Sequence, residues 1–350
     1  MKAFYRKYHL KFKRPAGTSR GVLMDKETWF LILKDQGKSG IGECGLFRGL
    51  SMDDVPEYEE ALSWTCSNIH LGPVRLLEKL KDYPSIKFGV EQAFASLQSE
   101  DPFILFPSDF TRSKQGININ GLIWMGDAAF MQEQIEQKIS SEFNCIKTKI
   151  GAIDFDTELS LFATIRKKYS KEEIQLRVDA NGAFSPEEAI DKLQRLAEYD
   201  IHSIEQPIKQ GFPLKMKQLC ENTPLPIALD EELIGHNSVT EKESLLQTIR
   251  PYYIILKPSL LGGFSACKEW IEVASKLDIG WWITSALESN IGLNAIAQWT
   301  YTLNNKMAQG LGTGSLFTNN FPSPLEICKG QLHYNKNSDW EENLIDKLCI

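Results

Sequence analysis

The sequence predicts an α/β protein in which a closed (β/α)7β barrel of the TIM type accompanies an α+β capping domain. From Asn118 onward, apolar runs of strand length alternate with longer segments that have apolar residues at helical spacing. This alternation is typical of βαβ units and a parallel sheet, and seven or more such units indicate a closed barrel. No GxGxxG loop follows a first strand, which disfavours the rival prediction of an open, doubly wound sheet.

The predicted domain boundaries follow this change of pattern. Residues 1–115 form the first part of the cap, residues 116–312 form the barrel, and residues 313–350 return to the cap. In the cap, the sequence predicts strands at residues 4–12 and 27–33, a third strand or a turn at residues 40–44, helices at residues 74–81 and 88–97, and a small-residue loop at residues 15–21.

In the predicted barrel, a helix follows each strand-like run up to residue 277. The strands are predicted at residues 118–124, 144–150, 174–180, 202–205, 226–230, 252–257 and 281–285. The helices are predicted at residues 127–141, 156–169, 186–198, 214–221, 238–249 and 265–277. The clearest helix start is Ser185, which is placed as an N-cap with Pro186 behind it and Glu188 at the third helical position.

Composition restricts the classes of function. The 350 residues include 39 basic and 46 acidic side chains, a net charge of -7, which argues against a nucleic-acid or membrane-surface partner. The 7 cysteines are scattered without a CxxC or other metal spacing, so we expect reduced thiols and a cytoplasmic location. The sequence does not indicate an oligomeric state.

Charged residues end five consecutive predicted strands. They are separated by 30, 26, 25 and 27 positions (149 to 179, 179 to 205, 205 to 230 and 230 to 257), one βα unit each. These residues are Lys149, Asp179, Glu205, Asp230 and Lys257. Any one of them alone is more simply a solvated charge, a turn former or a helix cap. Together they lie at the catalytic face of a barrel, where burying charge is costly unless the charges serve a site or pair with one another.

The residue types favour one chemistry. Three carboxylates without a His or Cys pattern form a hard, oxygen-rich site that suits Mg²⁺ better than zinc. A divalent cation can stabilise the enolate that forms when a proton leaves the carbon next to a carboxylate. A lysine can remove that proton only if its pKa falls from about 10.4. Lys147, on the same strand face as Lys149, would lower that pKa and help to hold the substrate carboxylate.

These five positions, in this order, resemble the enolase superfamily, and specifically the muconate-lactonizing-enzyme subgroup with lysines on the second and sixth barrel strands. The segments at residues 255–263 (ILKPSLLGG) and 285–293 (SALESNIGL) are most similar to the o-succinylbenzoate synthases. The pieces at residues 42–44 and 49–51 resemble the mobile cap loop of that family. The resemblance covers most of the chain.

The resemblance implies a set of roles. Asp179, Glu205 and Asp230 would bind Mg²⁺, for which Mn²⁺ could substitute. Lys149 would be the acid/base and Lys257 would lie across the substrate ring. The implied reaction is dehydration of 2-succinyl-6-hydroxy-2,4-cyclohexadiene-1-carboxylate to 2-succinylbenzoate, on the route to menaquinone, so the expected partner is a small carboxylate.

Further residues are expected around this centre. Asn181 and Glu231 directly follow two of the metal ligands and would support them. We expect the loops at residues 15–21 and 46–52 to close over the barrel mouth, with Ser19 and Arg20 contacting the substrate. The seventh-strand segment would add contacts from Ser285, Ser289 and Asn290.

Two other functions stay open at this point. An N-acylamino acid racemase of the same subgroup would use Lys149 and Lys257 as bases on opposite faces, and a non-catalytic binding scaffold would use neither. Dipeptide epimerases carry an Asp-x-Asp near the last strand that holds the substrate ammonium. Residues 310–316 read GLGTGSL, without an acid, which disfavours a substrate with a free α-amino group.

Overall fold

The computed structural model describes residues 1–18, 21–151 and 153–349. Its first part is an antiparallel sheet in the order β1-β2-β3, followed by helices. The elements are β1 (Lys2–Thr18), β2 (Gly21–Asp35), β3 (Lys38–Cys44), α1 (Tyr58–Ser67), α2 (Gly72–Lys79) and α3 (Pro84–Gln98). The predicted loop at residues 15–21 is wrong for its described part, because β1 continues to Thr18 with a register shift between Lys11 and Ala16.

Glycines let β3 lie directly on α3. A Cβ atom at Gly42 would lie 2.0 Å from the carbonyl oxygen of Gly89, and one at Gly40 would lie 2.4 Å from that of Ala93. Only a residue without a side chain permits this approach between a strand and a helix backbone. The predicted third strand is therefore confirmed, and residues 42–44 lie in β3 rather than in the mobile loop that they resemble.

A parallel sheet in the order β11-β10-β9-β8-β7-β6-β5 forms the second part. Its strands are β5 (Gly121–Ile123), β6 (Cys145–Lys149), β7 (Gln175–Asp179), β8 (Ile201–Glu205), β9 (Ile227–Leu229), β10 (Tyr253–Leu256) and β11 (Gly280–Ile283). The helices are α4 (Ala128–Ser140), α5 (Phe155–Arg166), α6 (Pro186–Ala197), α7 (Pro213–Asn222), α8 (Val239–Ile249), α9 (Pro258–Leu261), α10 (Gly263–Lys276) and α11 (Asn290–Thr302). Apolar side chains from both layers form the largest hydrophobic core.

A short eighth strand closes the barrel. Gln309 bridges Ile119 beside β5, and Gly310 bridges Thr284 at the end of β11. The Asn120 N–H donates to the Gln309 carbonyl at 2.9 Å, and the Ser285 N–H donates to the Gly310 carbonyl at 3.0 Å. The predicted (β/α)7β barrel with a cap is confirmed, although α11 was missing from the predicted helices.

The predicted strand at residues 118–124 is divided between two sheets. Its first part belongs to β4 (Ile117–Asn118), which pairs with β13 (Gln331–Tyr334), and β13 pairs with β12 (Leu325–Cys328). The last helix, α12 (Leu344–Leu348), packs its apolar side chains against Phe30 and Ile32 of the cap sheet. The domain boundaries at residues 115 and 312 stay a prediction. No helix among the described residues is both long and apolar enough to span a bilayer.

Two cap carboxylates hold the first turns of two barrel helices. Glu91 of α3 accepts hydrogen bonds from the N–H groups of Phe264 and Ser265, at the start of α10. Glu43 of β3 accepts from the N–H groups of Ser289 (3.0 Å) and Gly292 (2.9 Å), at the start of α11. A carboxylate at a helix N-terminus satisfies unpaired N–H groups and complements the helix dipole. The cap is thereby fixed to the barrel helices that follow β10 and β11.

We expect Glu43→Gln to lower the free energy of unfolding by about 1–3 kcal/mol, because the amide loses acceptor capacity where buried donors need it. The measurement is urea unfolding followed by fluorescence. Glu60→Gln, at an exposed position of α1, is the control and should change stability by less than about 0.5 kcal/mol. Equal stability of the two variants would contradict this role of Glu43.

Candidate active site

The five charged residues predicted at strand ends lie there. Lys149, Asp179 and Glu205 are the last residues of β6, β7 and β8, and they are direct partners in the parallel register. Asp230 and Lys257 immediately follow β9 and β10. The carboxyl ends of parallel strands meet at one face of a barrel, so all five side chains share that face.

Asp179 forms ion pairs with two lysines. Its Oδ2 atom lies 2.9 Å from Lys147 Nζ and 3.2 Å from Lys149 Nζ. Burial raises the pKa of Asp179, but the ammonium groups of Lys147 and Lys149 outweigh it and hold that pKa below its usual range. Asp179 is therefore held as a carboxylate between the two lysines that leave β6 on the same face.

Glu205 lies in the middle of the charged row. The Lys147 ammonium is in ion-pair contact with its Oε2 atom, and Lys257 Nζ lies 3.7 Å from its Oε1 atom. Neither of these two ion-pair contacts has the geometry of a hydrogen bond, and the described residues supply no other donor to either oxygen. Burial and the nearby Asp179 carboxylate raise the pKa of Glu205 to about 8. Among the carboxylates at this face, Glu205 is therefore the one whose ionised form is disfavoured.

Lys257 completes the row. Its ammonium is in contact with Asp230, which is 3% exposed. Burial lowers the pKa of Lys257, but the carboxylates of Asp230 and Glu205 outweigh it and raise that pKa above its usual value. In the described chain, no three acidic, imidazole or thiol groups lie close enough together to form a ready set of metal ligands. Lysine ammonium groups lie between the carboxylates instead.

Asn181 and Glu231 lie beside this row, as the sequence predicts. The Asn181 side-chain oxygen accepts a hydrogen bond from Lys149 Nζ at 2.5 Å, and its amide nitrogen donates to Glu231 at 3.1 Å. The Asn181 backbone N–H also donates to Asp179 at 3.0 Å. Asn181 thus fixes the end of the Lys149 side chain relative to the neighbouring carboxylate.

An apolar cleft opens above the charged row. Phe47 and Leu50, in the cap loop at residues 46–52, line it from one side, and Trp124 and Leu287 line it from the barrel. Lys149 and Lys257 both face this cleft. A cleft with apolar walls and a few convergent charged groups suits a small, flat organic acid.

The residues predicted to contact substrate lie in different places. Ser285 lines the cleft. Ser289 is fully buried and donates to Glu43, and Asn290 donates to the carbonyl of Phe321 at 2.6 Å. Neither is among the described residues that line the cleft, so both hold α11 and the C-terminal segment in place. Ser19 and Arg20 lie outside the described residues.

Three polar residues near the site were not predicted from the sequence. Gln206, with a φ of 38°, accepts hydrogen bonds through its side-chain oxygen from the N–H groups of Asp230 and Glu232, both at 3.2 Å. It therefore fixes the backbone that carries Asp230. Its position directly after Glu205 was a usable signal. Glu288 and Thr313 bond to Ser285, and only tertiary contacts identify them.

The chain is similar to known proteins over nearly its whole length. The family model described as "Enolase C-terminal domain-like" matches residues 130–337. The o-succinylbenzoate synthase of Desulfotalea psychrophila is 48% identical, covering 95% of this chain and 98% of that protein. The crystal structure of MenC from the same organism superposes with a TM-score of 0.84 at 44% identity, over 95% of this chain and 99% of that chain. Muconate lactonizing enzyme from Pseudomonas fluorescens, 21% identical with a TM-score of 0.82, shares the fold over 99% of this chain and 98% of that chain.

We expect Lys147→Met and Glu205→Gln to affect stability differently in metal-free buffer. Lys147→Met leaves Asp179 and Glu205 buried with less compensating charge, which should cost about 3 kcal/mol. Glu205→Gln removes the carboxylate whose ionisation is costly, so this variant should lose clearly less stability than Lys147→Met. Urea unfolding measures both, with Lys268→Met on the exposed surface of α10 as the control. An equal loss in the two site variants would contradict the charge balance described above.

Proposed function

The chain belongs to the enolase superfamily, and we propose that it acts as an o-succinylbenzoate synthase. It dehydrates 2-succinyl-6-hydroxy-2,4-cyclohexadiene-1-carboxylate to 2-succinylbenzoate, a step of menaquinone biosynthesis. The observation that carries the proposal is the pair of lysines, Lys149 and Lys257, that face one cleft above three buried carboxylates. The near-full-length similarity to a synthase of this name supports the same conclusion. A cytoplasmic location is part of the proposal.

The site suits a divalent metal, and we assign it Mg²⁺, for which Mn²⁺ can substitute. Asp179, Glu205 and Asp230 would hold the ion, since each is at most 3% exposed and offers oxygen ligands. The Glu205 oxygens lack hydrogen-bond partners among the described residues, and a cation would relieve the cost of their charge. Binding requires the lysines to withdraw from between the carboxylates. As in other enolase-superfamily sites, the ion supplies charge stabilisation for the ene-diolate.

Lys149 carries both proton steps in this proposal. As a neutral amine it takes the proton from the carbon next to the ring carboxylate, and as an ammonium it returns a proton to the departing hydroxyl, which leaves as water. The hydrogen bond to Asn181 orients its Nζ atom. Lys147, in contact with the same Asp179 oxygen, adds a second positive charge that helps to hold the substrate carboxylate.

Lys257 acts as a cation against the flat face of the intermediate. Without a metal, the carboxylates of Asp230 and Glu205 raise the pKa of Lys257. As an ammonium facing the cleft, Lys257 would stabilise the negative charge of the intermediate without transferring a proton. A cation over a π system contributes about 2 kcal/mol or more when desolvated. Phe47 and Leu50 of the cap loop line the cleft from one side, and their apolar side chains would help to keep water from the reacting carbon.

The wall near the eighth strand argues against a substrate with a free amino group. Gly310, Gly312 and Thr313 line the cleft there, and none of them carries the negative charge that an ammonium would require. The substrates of an N-acylamino acid racemase have no free ammonium group, so this wall does not argue against them. Such a racemase is the second candidate, because Lys149 and Lys257 both reach the cleft. In a racemase, Lys257 must exchange protons.

We expect the purified protein to form 2-succinylbenzoate with Mg²⁺ and to lose turnover after EDTA treatment, with recovery when Mg²⁺ is added back. Asp230→Asn should reduce turnover by at least about a thousandfold, because it removes one of three anionic ligands. Absorbance of the aromatic product gives the rate. Activity of the wild-type protein that survives exhaustive chelation would contradict the metal assignment.

We expect Lys257→Arg to retain more dehydration activity than Lys149→Arg, because arginine keeps the charge but cannot act as a base. Lys149→Arg should be inactive. Circular dichroism and Mg²⁺-dependent stability check that both variants are folded. Equal and complete loss of activity in two folded variants would favour the two-base racemase, which deuterium exchange into N-acylamino acids would then test.

A further inference from the structure

A buried chain of hydrogen bonds runs from the cleft wall into the protein. Thr313 Oγ1 lies 2.9 Å from Ser285 Oγ, which lies 2.5 Å from a Glu288 carboxylate oxygen. The other Glu288 oxygen contacts the hydroxyl of Ser259, and the Leu287 N–H donates to Ser285 Oγ at 3.1 Å. Glu288 and Ser259 are fully buried, while Thr313 and Ser285 line the cleft.

Glu288 sets the direction of this chain. A carboxylate only accepts hydrogen bonds, so the hydroxyls of Ser259 and Ser285 must donate to it. The single proton of Ser285 is then committed, and its two lone pairs accept from Leu287 N–H and from the Thr313 hydroxyl. Ser285 was predicted from the sequence to contact the substrate, but its hydroxyl has no donor or acceptor left to form a hydrogen bond with the substrate.

Thr313 therefore offers the cleft only one kind of contact. Its proton is directed to Ser285, so the Thr313 oxygen has only lone pairs, and no donor, left for a further partner. A substrate carboxylate or ketone, which also presents lone pairs, finds no hydrogen bond there. A group that carries a hydrogen-bond donor does.

We propose that Thr313 is a specificity-determining residue that accepts a hydrogen bond from the ring hydroxyl of the substrate. This inference rests on the proposed function. At neutral pH, both carboxylates of that substrate are ionised and its ketone has no proton, so the hydroxyl is its one conventional donor. The product, 2-succinylbenzoate, has lost the hydroxyl as water and has no donor. Thr313 thus favours the substrate over the product, and the contact ends when the hydroxyl leaves.

The test compares substrate and product in Thr313→Val, which keeps the shape of the side chain but removes the hydroxyl. We expect kcat/KM to fall about tenfold, the value of one hydrogen bond, while the inhibition constant of 2-succinylbenzoate changes less than about twofold. Thr313→Ser keeps the hydroxyl and should restore kcat/KM. If Thr313→Val does not fold, Thr313→Cys, whose sulfur is a weak acceptor, should show the same selective loss.

The comparison separates failure of the inference from failure of the proposed function. No turnover by the wild-type protein with Mg²⁺ would overturn the proposed function and this inference with it. Turnover by the wild-type protein, with equal weakening of substrate and product in Thr313→Val, would overturn only the inference. Unchanged kcat/KM in Thr313→Val would do the same.

Discussion

The need to neutralise buried charge at one end of the barrel governs the site. Asp179, Glu205 and Asp230 are each at most 3% exposed, and removing three carboxylates from water costs far more than folding can supply unless cations lie beside them. Lys147 and Lys257 meet that need by direct contact. The same requirement makes the site receptive to a divalent ion, because the central carboxylate, Glu205, has one oxygen, Oε1, that lies 3.7 Å from Lys257 Nζ and forms no hydrogen bond with the described residues.

The attachment of the cap to the barrel also depends on where charged side chains are placed. Glu43 and Glu91 place negative charge at the starts of α11 and α10, where helix N–H groups lack partners. These contacts fix the cap to the barrel helices next to the cleft, which Phe47 and Leu50 of the cap line from one side. The seventh-strand segment thereby serves both parts of the molecule: Ser285 faces the cleft, and Ser289 bonds to the cap.

The sequence predicted those features that repeat regularly along the chain. One charged residue per βα unit predicted the row from Lys149 to Lys257, because parallel strands deliver their ends to one face. Contacts between distant residues leave no such signal. Glu43 lies 246 positions from Ser289, so its contact with the start of α11 could not be predicted, although a strand was predicted there. The true course of residues 15–18 was also missed, because Pro15 and Gly17 favour a turn locally, whereas residues 16–18 pair with β2 after a register shift.

We propose that the three carboxylates form a single divalent-cation site once the lysines withdraw from between them. Crystals grown with Mn²⁺ and measured for anomalous scattering test this directly. We expect one strong anomalous peak in contact with Asp179, Glu205 and Asp230, with Lys149 and Lys257 facing the cleft on either side. A peak elsewhere, or one that leaves any of the three carboxylates uncoordinated, would contradict it.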